Sequence, residues 1–239
     1  MLYPKKNKLK LKPFFTAKDF LEGKKTFFKL PKTVILMPSA DMTKFLKGHV
    51  KKHYDLFSSI DLINDNVAVV HNFSIGAPLA VFIAEQLAEL GAENFILIGV
   101  AGGIGRNLNL HERILCTGAF ADEGSSRHYV SETLVKPSKE LTAKLKNLTE
   151  NKGHTWTIDA MFCETKQEVL FYEKQGAQTV EMEAAGVFAF AKKRGLKAAG
   201  VFVISDLLNS KKWDALPDRK KSAQTLAQLM FDIAKKSLN

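Results

Sequence analysis

The sequence has little of what marks several specialised classes of protein. Only two of its 239 residues are cysteine, and neither Cys116 nor Cys163 has a C-x-x-C or histidine partner spacing, so a disulfide framework and a zinc site have no support. The longest apolar segments, such as 198–204, are far shorter than the ~20 residues that a bilayer span requires. No apolar segment follows the lysine-rich first residues, as it would in a signal peptide. We therefore expect a metal-free protein of the reducing cytoplasm.

Acidic residues are also in the minority. Basic residues exceed them by 35 to 25, which gives a net charge of +10. Such a charge is compatible with a nucleic-acid partner, an anionic substrate or a well-solvated surface. The lysines concentrate near the two ends of the chain and at Lys51 and Lys52, without interleaved aromatic residues or a nucleic-acid motif. We interpret them as solvated surface and predict neither a nucleic-acid nor a membrane partner.

The rest of the composition fits one globular α/β domain. A chain of this length with 46% hydrophobic and 25% charged residues can bury a full core, and strand and helix patterns alternate along it. The predicted strands cover 33–37, 67–71, 95–100, 155–160 and 198–204, with a strand pair in 111–120, and the predicted helices cover 17–22, 42–49, 79–90, 137–151 and 222–237. We divide the chain into an amino-terminal arm with a short helix, residues 1–32, and an α/β domain, residues 33–239.

The most informative segment is V-E-M-E-A-A-G at residues 180–186. It places two carboxylates around a methionine at the predicted start of an apolar helix that Gly195 ends. Acidic residues in a first turn also complement the helix dipole. The following strand, 198–204, is closed by Ser205 and Asp206. Because open α/β sheets bind ligands beyond the carboxyl ends of their strands, these carboxylates are candidates for a binding site.

Two further segments have the composition of a binding site. The predicted strand 95–100 runs into A-G-G-I-G at 101–105, where glycine lets backbone N–H groups approach an anion or a sugar closely. The segment A-D-E-G-S-S-R-H-Y at 121–129 carries Arg127, whose planar guanidinium suits phosphate, with His128 beside it. Polar turn residues of this kind are also common in surface loops.

Together these segments resemble the nucleoside phosphorylase and nucleosidase superfamily, which includes purine and uridine phosphorylase-like proteins. The family's V-E-M-E-A-A and later S-D match residues 180–185 and 205–206, and its D-E-G-T-S-x-H-Y block is similar to residues 122–129. The order of G-A-P, helix, strand and G-x-A-G-G over residues 76–103 also matches. The resemblance covers about residues 33–213. It implies a single α/β domain with a central mixed, partly barrelled sheet flanked by helices, in a homodimer or trimer of dimers in which a neighbouring subunit completes each pocket.

The resemblance also implies which residues bind each part of the substrates. Ribose would be bound by Glu181, Met182 and Glu183, the base by Phe162, Gln167 and Asp206, and phosphate by Gly102, Arg127 and His128. Two of these are implied to be catalytic: Glu183 holds the ribose hydroxyls, and Asp206 stabilises the departing purine at N7 as a general acid. Phosphate is implied as a co-substrate, and no cofactor is expected.

The chain departs from the family pattern where phosphate and uracil are bound. Leu97 and Val100 stand where the family has an arginine and a serine or threonine, and neither side chain can donate a hydrogen bond. Burying a phosphate without paired donors is costly. Val169 stands at the arginine position of the Q-E-R segment with which uridine phosphorylases read uracil. These departures leave the base and the nucleophile open.

The function that we predict is phosphorolysis of a purine nucleoside to the free base and ribose 1-phosphate. Three alternatives remain open: a uridine phosphorylase, a nucleosidase that uses water, and a catalytically silent nucleoside-binding relative. In the nucleosidase, Asp41 in the loop after the first strand would activate water. In a phosphorylase, the same loop offers Ser39, Thr43 and Lys44 toward the anion.

Overall fold

A computed structural model of the chain describes residues 8–24, 26, 28–38, 40–105, 107–208, 213–214 and 219–235. Within these residues, eleven strands form one mixed sheet, and seven α-helices lie around it. The strands are β1 (Thr33–Leu36), β2 (Lys52–Asp55), β3 (Ser59–Leu62), β4 (Val67–His71), β5 (Asn94–Gly103), β6 (Arg113–Asp122), β7 (Leu134–Val135), β8 (Asn151–Ile158), β9 (Ala177–Glu181), β10 (Lys197–Leu208) and β11 (Trp213–Asp214). The helices are α1 (Ala17–Gly23), α2 (Thr43–Leu46), α3 (Ala77–Glu89), α4 (Lys139–Leu145), α5 (Lys166–Lys174), α6 (Ala184–Arg194) and α7 (Arg219–Lys235).

Five of the strands close into a barrel. In sheet order, β10, β6, β8, β9 and β5 are neighbours, and β10 also pairs with β5, which completes the ring. The strands β1, β4, β3 and β2 extend the sheet from β5 as an open wing. The central mixed, partly barrelled sheet with flanking helices that the sequence predicts is therefore confirmed.

The strand β5 has an unpaired stretch on one edge. Parallel β1 pairs with it from Asn94 to Leu97, and antiparallel β9 pairs with it only at Gly102 and Gly103. The other edge is paired with β10 along the whole strand. Residues 98–101 therefore face an opening, at the point where β1 has ended and β9 arrives from the opposite direction.

Helices cover the sheet in three groups. The helices α3 and α6 pack on one side of the central strands, and α2, α4 and α7 pack on the other. The helix α5 covers part of the barrel, where Tyr172 stacks on Trp156 at 4.6 Å between ring centroids and Val169 packs in the same cluster as Val180. Because strands covered on both faces must bury both sets of side chains, the central strands are apolar along their length.

The described part of the arm packs on the α/β domain. The short helix predicted at 17–22 is present as α1, which begins with a capping box between Thr16 and Asp19. Phe20 of this helix contacts Phe82 of α3 edge to face, at 5.8 Å between ring centroids. The division of the chain at residue 33 stays a prediction. Among all the described helices, none is both long and apolar enough to cross a membrane.

Some predicted elements differ from the structure. The sequence patterns predict none of β2, β3 and β9, and they predict a strand pair where the structure has the single strand β6. The segment at 101–103 is the end of β5 rather than a turn. Its glycines fit within a sheet because neighbouring side chains occupy the space that their own would need: a Cβ on Gly102 would lie 2.5 Å from Leu208 Cδ1, and one on Gly103 would lie 2.8 Å from Leu207 Cδ2.

The predicted helix that contains Glu181 and the predicted strand 198–204 also have different ends in the structure. Glu181 ends β9 and is not in a helix, Met182 and Glu183 form a bend, and α6 begins at Ala184. The strand that the sequence closes at 204 continues as β10 to Leu208, with an irregularity in its pairing that lets it pass Ser205. Both differences arise because strand pairing within the barrel, rather than local apolar pattern, decides where these strands end. The strand predicted at 67–71 coincides with β4, and the other predicted elements are present with shifted ends, except that residues 236–237 of the last predicted helix lie outside the described residues.

The distance between α6 and α3 depends on Gly186. A Cβ on Gly186 would lie 2.9 Å from Ala77 Cβ and 3.2 Å from Val81 Cγ2, so a side chain has no room. We expect Gly186→Val to lower the free energy of unfolding by about 1–3 kcal/mol, the usual cost of overpacking a core, as measured by urea unfolding. Gly23→Val is the matched control, because a Cβ there meets no atom within 4 Å. Equal losses in the two variants would contradict this account of the helix contact.

Candidate active site

Two loops at the carboxyl ends of neighbouring strands lie beside the opening next to β5. The strands β1 and β4 are parallel neighbours, and the loops that follow them are joined by a hydrogen bond from Asn72 N to Ala40 O at 2.9 Å. The backbone N–H of Met42 also donates to His71 Nδ1 at 3.2 Å. Because α/β sheets bind ligands at the carboxyl ends of their strands, we take this opening, with the unpaired residues 98–101 beside it, as the candidate active site.

Glu183 connects the end of β9 to this opening. It lies two residues after β9, and its Oε1 accepts a hydrogen bond from the backbone N–H of Gly76 at 2.6 Å, in the loop after β4. Gly76 has a φ of 111°, a backbone conformation that favours glycine. Burial raises the pKa of Glu183, and the bond from the Gly76 N–H opposes that rise. The Glu183 carboxylate thus links the bend after β9 to the loop after β4, and both lie beside the opening.

The Glu181 carboxylate binds backbone N–H groups at the start of α6. Its Oε2 accepts hydrogen bonds from the backbone N–H groups of Glu183 at 2.8 Å and Ala184 at 2.7 Å. Its Oε1 accepts the Thr157 hydroxyl at 2.5 Å, and the Thr157 oxygen in turn accepts from Ala185 N at 3.1 Å. Three N–H groups at the helix start, which have no partner within the helix, are satisfied in this way. Burial, with the charge of Glu183, raises the pKa of Glu181.

Asp206 lies on the other side of β5. It pairs with Gly102 just after the irregularity in the register of β10 and β5. Its Oδ1 accepts a hydrogen bond from the Ser205 hydroxyl at 2.5 Å, and its Oδ2 accepts one from Trp213 Nε1 at 2.7 Å. Both carboxylate oxygens of Asp206 therefore have a hydrogen-bond donor.

Gly102 allows the Asp206 carboxylate to approach the sheet. Asp206, Gly102 and Val180 lie in one row across three strands, and a Cβ on Gly102 would lie 3.4 Å from Asp206 Oδ2 and 3.1 Å from Val180 Cγ1. Neighbouring strands lie ~4.8 Å apart, so β9 and β10 are about 10 Å apart across β5. Gly102 itself is paired on both edges, and the backbone that faces the opening is that of residues 98–101.

The other residues predicted for ribose and base lie on two neighbouring segments. Met182 is half-buried between the two glutamates of the bend. Phe162 lies in the 3-10 turn that follows β8 and is 96% exposed, and Gln167 is exposed in the first turn of α5. The structure thus places Met182 next to Glu183, whereas Phe162 and Gln167 stand at the surface of the segment that leads into α5.

Glu164 is a candidate that the sequence patterns do not single out. It lies between the turn with Phe162 and the start of α5, and it is half-buried. Burial raises the pKa of Glu164 to about 7, and the negative charges of Asp206 and Glu168 add to that rise. A titratable group with a perturbed pKa beside a proposed acid is a candidate for function. The signal in the sequence was its position, two residues after the aromatic residue assigned to the base.

Comparisons with known proteins point to one superfamily. A family model described as the phosphorylase superfamily matches residues 44–239. A guanosine phosphorylase from Halorubrum lacusprofundi is 29% identical over 160 residues, which cover 62% of this chain and 66% of that protein. A DeoD-type purine nucleoside phosphorylase from Clostridium novyi is 22% identical over 175 residues, 69% of this chain and 75% of that protein, and one from Photobacterium profundum is 25% identical over 181 residues, 69% and 74% respectively.

The chain belongs to the phosphorylase superfamily. This confirms the resemblance drawn from the motifs, and it confirms the predicted enzyme class, a nucleoside phosphorylase. In the described part of this superfamily member, no three His, Cys, Asp or Glu side chains gather as they would around a metal ion.

The segment 121–129, expected to supply phosphate ligands, folds against the far end of α6. The Tyr129 hydroxyl donates to Glu85 Oε1 at 3.0 Å, and Arg194, the last residue of α6, pairs with the same carboxylate at 2.8 Å. Glu183 precedes the first residue of that helix. The Tyr129 end of the segment therefore lies at the far end of α6 from Glu183, whereas its beginning lies beside the end of β8, where Asp122 pairs with Ile158 and Gly124 N donates to Asp159 Oδ2 at 2.9 Å.

Arg127 and His128 have local partners there. The Arg127 guanidinium donates to the backbone oxygen of Glu123 at 3.5 Å, and His128 Nδ1 lies 2.5 Å from Lys8 Nζ. Burial, with the charges of Lys8 and Arg127, lowers the pKa of His128. No contact in the structure joins either described side chain to Gly102, and both their phosphate role and the predicted homo-oligomer stay predictions.

The two positions that depart from the superfamily pattern lie along β5. Leu97 is fully buried at the last position paired with β1, whereas Val100 is 41% exposed although it lies in a central strand. Val100 belongs to the unpaired stretch, so its exposure marks the opening itself. No side-chain donor stands at either position, so these two positions offer an anion only those backbone N–H groups of residues 98–101 that face the opening.

The loop after β1 and the start of α2 carry Asp41 and Lys44, which are both exposed. The Asp41 carboxylate is exposed and accepts a hydrogen bond from Thr43 N at 3.0 Å. Bonds from Thr43, from its side chain first, lower the pKa of Asp41, which weakens this carboxylate as a base near neutral pH. Lys44 is exposed on α2, and Ser39 lies outside the described residues.

Replacing Glu181 tests whether its carboxylate stabilises the start of α6. We expect Glu181→Ala to lower the free energy of unfolding by about 2 kcal/mol or more, because it leaves buried N–H groups at the start of α6 without acceptors. Urea unfolding measures this, and Glu150→Ala, at an exposed glutamate, is the control. Combining Glu181→Ala with Thr157→Val should cost less than the sum of the two, because both remove the same network. A stability of Glu181→Ala equal to that of the control would refute the assignment.

Proposed function

We propose that the protein cleaves the N-glycosidic bond of a purine nucleoside with phosphate, giving the free base and ribose 1-phosphate. The observation that supports this most is the pair of carboxylates, Glu183 and Asp206, on either side of the unpaired residues 98–101. Membership of the phosphorylase superfamily supports the reaction class. The names of the relatives, guanosine phosphorylase and purine nucleoside phosphorylase, support a purine base and phosphate as the attacking group.

The ribose end of the substrate would lie at Glu183. As the bond between C1′ and the base breaks, its electron pair stays with the base and positive charge develops on the sugar. An ionised Glu183 accepts hydrogen bonds from the ribose hydroxyls, and the bond from the Gly76 N–H holds the carboxylate in place. Met182 packs on the sugar ring from the bend beside it. A phosphate oxygen then forms the new bond to C1′.

The base end would lie at Asp206, with Phe162 free to stack on the ring. A purine has a basic N7 that can take a proton as the base leaves, whereas uracil has no equivalent atom. The position at which uridine phosphorylases have an arginine is Val169, which is only 7% exposed within α5. Both points favour a purine over uracil.

Phosphate would be held loosely. In the described part of the chain, the hydrogen bonds and ion pairs of Glu183 and Asp206 include no lysine or arginine. Backbone N–H groups of residues 98–101 are then the donors, and a neutral hydrogen bond contributes only ~1 kcal/mol net. The same lack of a basic side chain favours a second candidate, hydrolysis of the nucleoside by water.

Release of free base separates these possibilities. Guanosine, inosine and uridine are each incubated with the protein at increasing phosphate concentrations, and base and ribose 1-phosphate are measured by chromatography. We expect purine release to rise steadily with phosphate, since a weak anion site saturates only at high concentration. Faster cleavage of uridine than of inosine would overturn the purine assignment. Release that is independent of phosphate and disappears in Asp41→Asn would show that water is the nucleophile.

Glu183→Gln tests the ribose carboxylate. The amide has the same shape but no charge, so the charge-assisted bonds to the ribose hydroxyls are lost. We expect kcat/KM for inosine to fall on the order of 10²-fold or more, while Glu150→Gln, at an exposed glutamate, keeps parental activity. Near-parental activity of Glu183→Gln, with an unchanged unfolding midpoint, would remove Glu183 from the site.

A further inference from the structure

The described residues between β1 and α2 are bound to β4 and its loop rather than to β5. Parallel β1 pairs with β5 only over the first part of that strand. Beyond that point, Met37 N donates to Val70 O at 2.8 Å. Asn72 N, in the loop after β4, donates to Ala40 O at 2.9 Å. Because these bonds direct the chain toward β4, the edge of β5 at residues 98–101 is left unpaired.

His71 adds a side-chain contact to these backbone bonds. It is the last residue of β4 and is fully buried. Its Nδ1 accepts a hydrogen bond from Met42 N at 3.2 Å, one residue before α2 begins. A neutral imidazole accepts on one nitrogen and donates from the other. His71 can therefore hold Met42 only while its proton lies on Nε2.

Asp61 on β3 is the acceptor for that proton. His71 Nε2 lies 2.9 Å from Asp61 Oδ2, and the other carboxylate oxygen, Oδ1, lies 2.6 Å from Nδ1 of His53 on β2. Hydrogen bonds to Asp61 and Asp55 raise the pKa of His53. Asp61 is buried, whereas the His53 side chain is about half exposed. A chain of hydrogen bonds thus runs from the surface at His53 to the backbone of Met42 beside the opening.

We propose that His71, held by Asp61, is a positioning residue for phosphate. It keeps the chain after β1 against β4, and so leaves open to the anion those backbone N–H groups of residues 98–101 that face the opening. Without this acceptor, burial of Met42 N–H is unfavourable, and the chain is expected to leave its position. The inference deepens the function proposed above and rests on it, because phosphate is the ligand that those N–H groups would bind.

Two substitutions at His71 separate the roles of its two nitrogens. Asparagine has its amide oxygen two bonds from Cβ, as Nδ1 is in histidine, so His71→Asn can still accept from Met42 N. Glutamine has its amide nitrogen three bonds from Cβ, as Nε2 is, so His71→Gln can still donate to Asp61 but offers Met42 no acceptor. Both side chains are neutral amides, which makes the two variants a matched pair.

Phosphate dependence and amide exchange are measured in both variants. We expect kcat/KM for phosphate to fall about fivefold in His71→Gln, the equivalent of one neutral hydrogen bond, while KM for inosine is unchanged. Exchange of the Met42 amide hydrogen, followed by NMR, should accelerate in the same variant. His71→Asn, the conservative variant, should restore both properties. Asp65→Asn, at an exposed aspartate in the turn between β3 and β4, is the surface control.

The parent protein supplies a test that needs no variant. Nitrogen NMR of the histidine rings should place the His71 proton on Nε2, and the Met42 amide should be protected from exchange. A His71 proton on Nδ1, or an unprotected Met42 amide, overturns the proposal.

The remaining outcomes separate this inference from the proposed function. Equal losses in His71→Gln and His71→Asn overturn the inference, because they indicate a structural role, and so does an unchanged kcat/KM for phosphate in His71→Gln. If the parent releases no base from inosine or guanosine, the proposed function fails, and the phosphate role of His71 fails with it. Exchange at Met42 then still decides whether His71 holds the chain.

Discussion

A buried carboxylate at the junction of β9 and α6 holds the site together. Glu181 accepts the first N–H groups of the helix and the hydroxyl of Thr157 on β8. The chain must turn sharply there, since β9 runs against β5 and α6 begins only three residues after Glu181. The backbone N–H groups exposed by that turn would otherwise be buried without partners. Because the turn is fixed, Glu183 reaches Gly76 and closes one end of the opening.

This arrangement gathers several carboxyl groups beside the opening. Glu181 and Glu183 are buried with raised pKa values, and Glu164 adds a third perturbed carboxyl beside Asp206. Backbone and hydroxyl donors compensate part of the cost of burial, but they do not neutralise the charge. An anion ~7 Å from one such charge is opposed by about 2 kcal/mol at an effective dielectric constant of 20, roughly the contribution of two neutral hydrogen bonds.

Several elements could be predicted because their pattern is local. Helices α3 and α6 have apolar residues at helical spacing and end at glycine, and β1 and β4 are short buried runs. The strand β9 could not be predicted in the same way, since it is five residues long and its ending at Glu181 depends on pairing with β5 and β8. Gly102 and Gly103 read as a turn, but they complete β5 because Leu208 and Leu207 fill the space above them.

The sequence by itself determined the superfamily, the α/β class and the chemical character of the candidate site residues, because these depend on residue type and spacing within short segments. The tertiary structure decided which of those residues meet. It separated Glu181, which binds the backbone at the start of α6, from Glu183, which reaches Gly76, and it gave Arg127 and His128 local partners in Glu123 and Lys8. It also brought Glu164 near Asp206 from segments some forty residues apart in the chain. Closure of the barrel sets such distances, and no pattern within one segment encodes them.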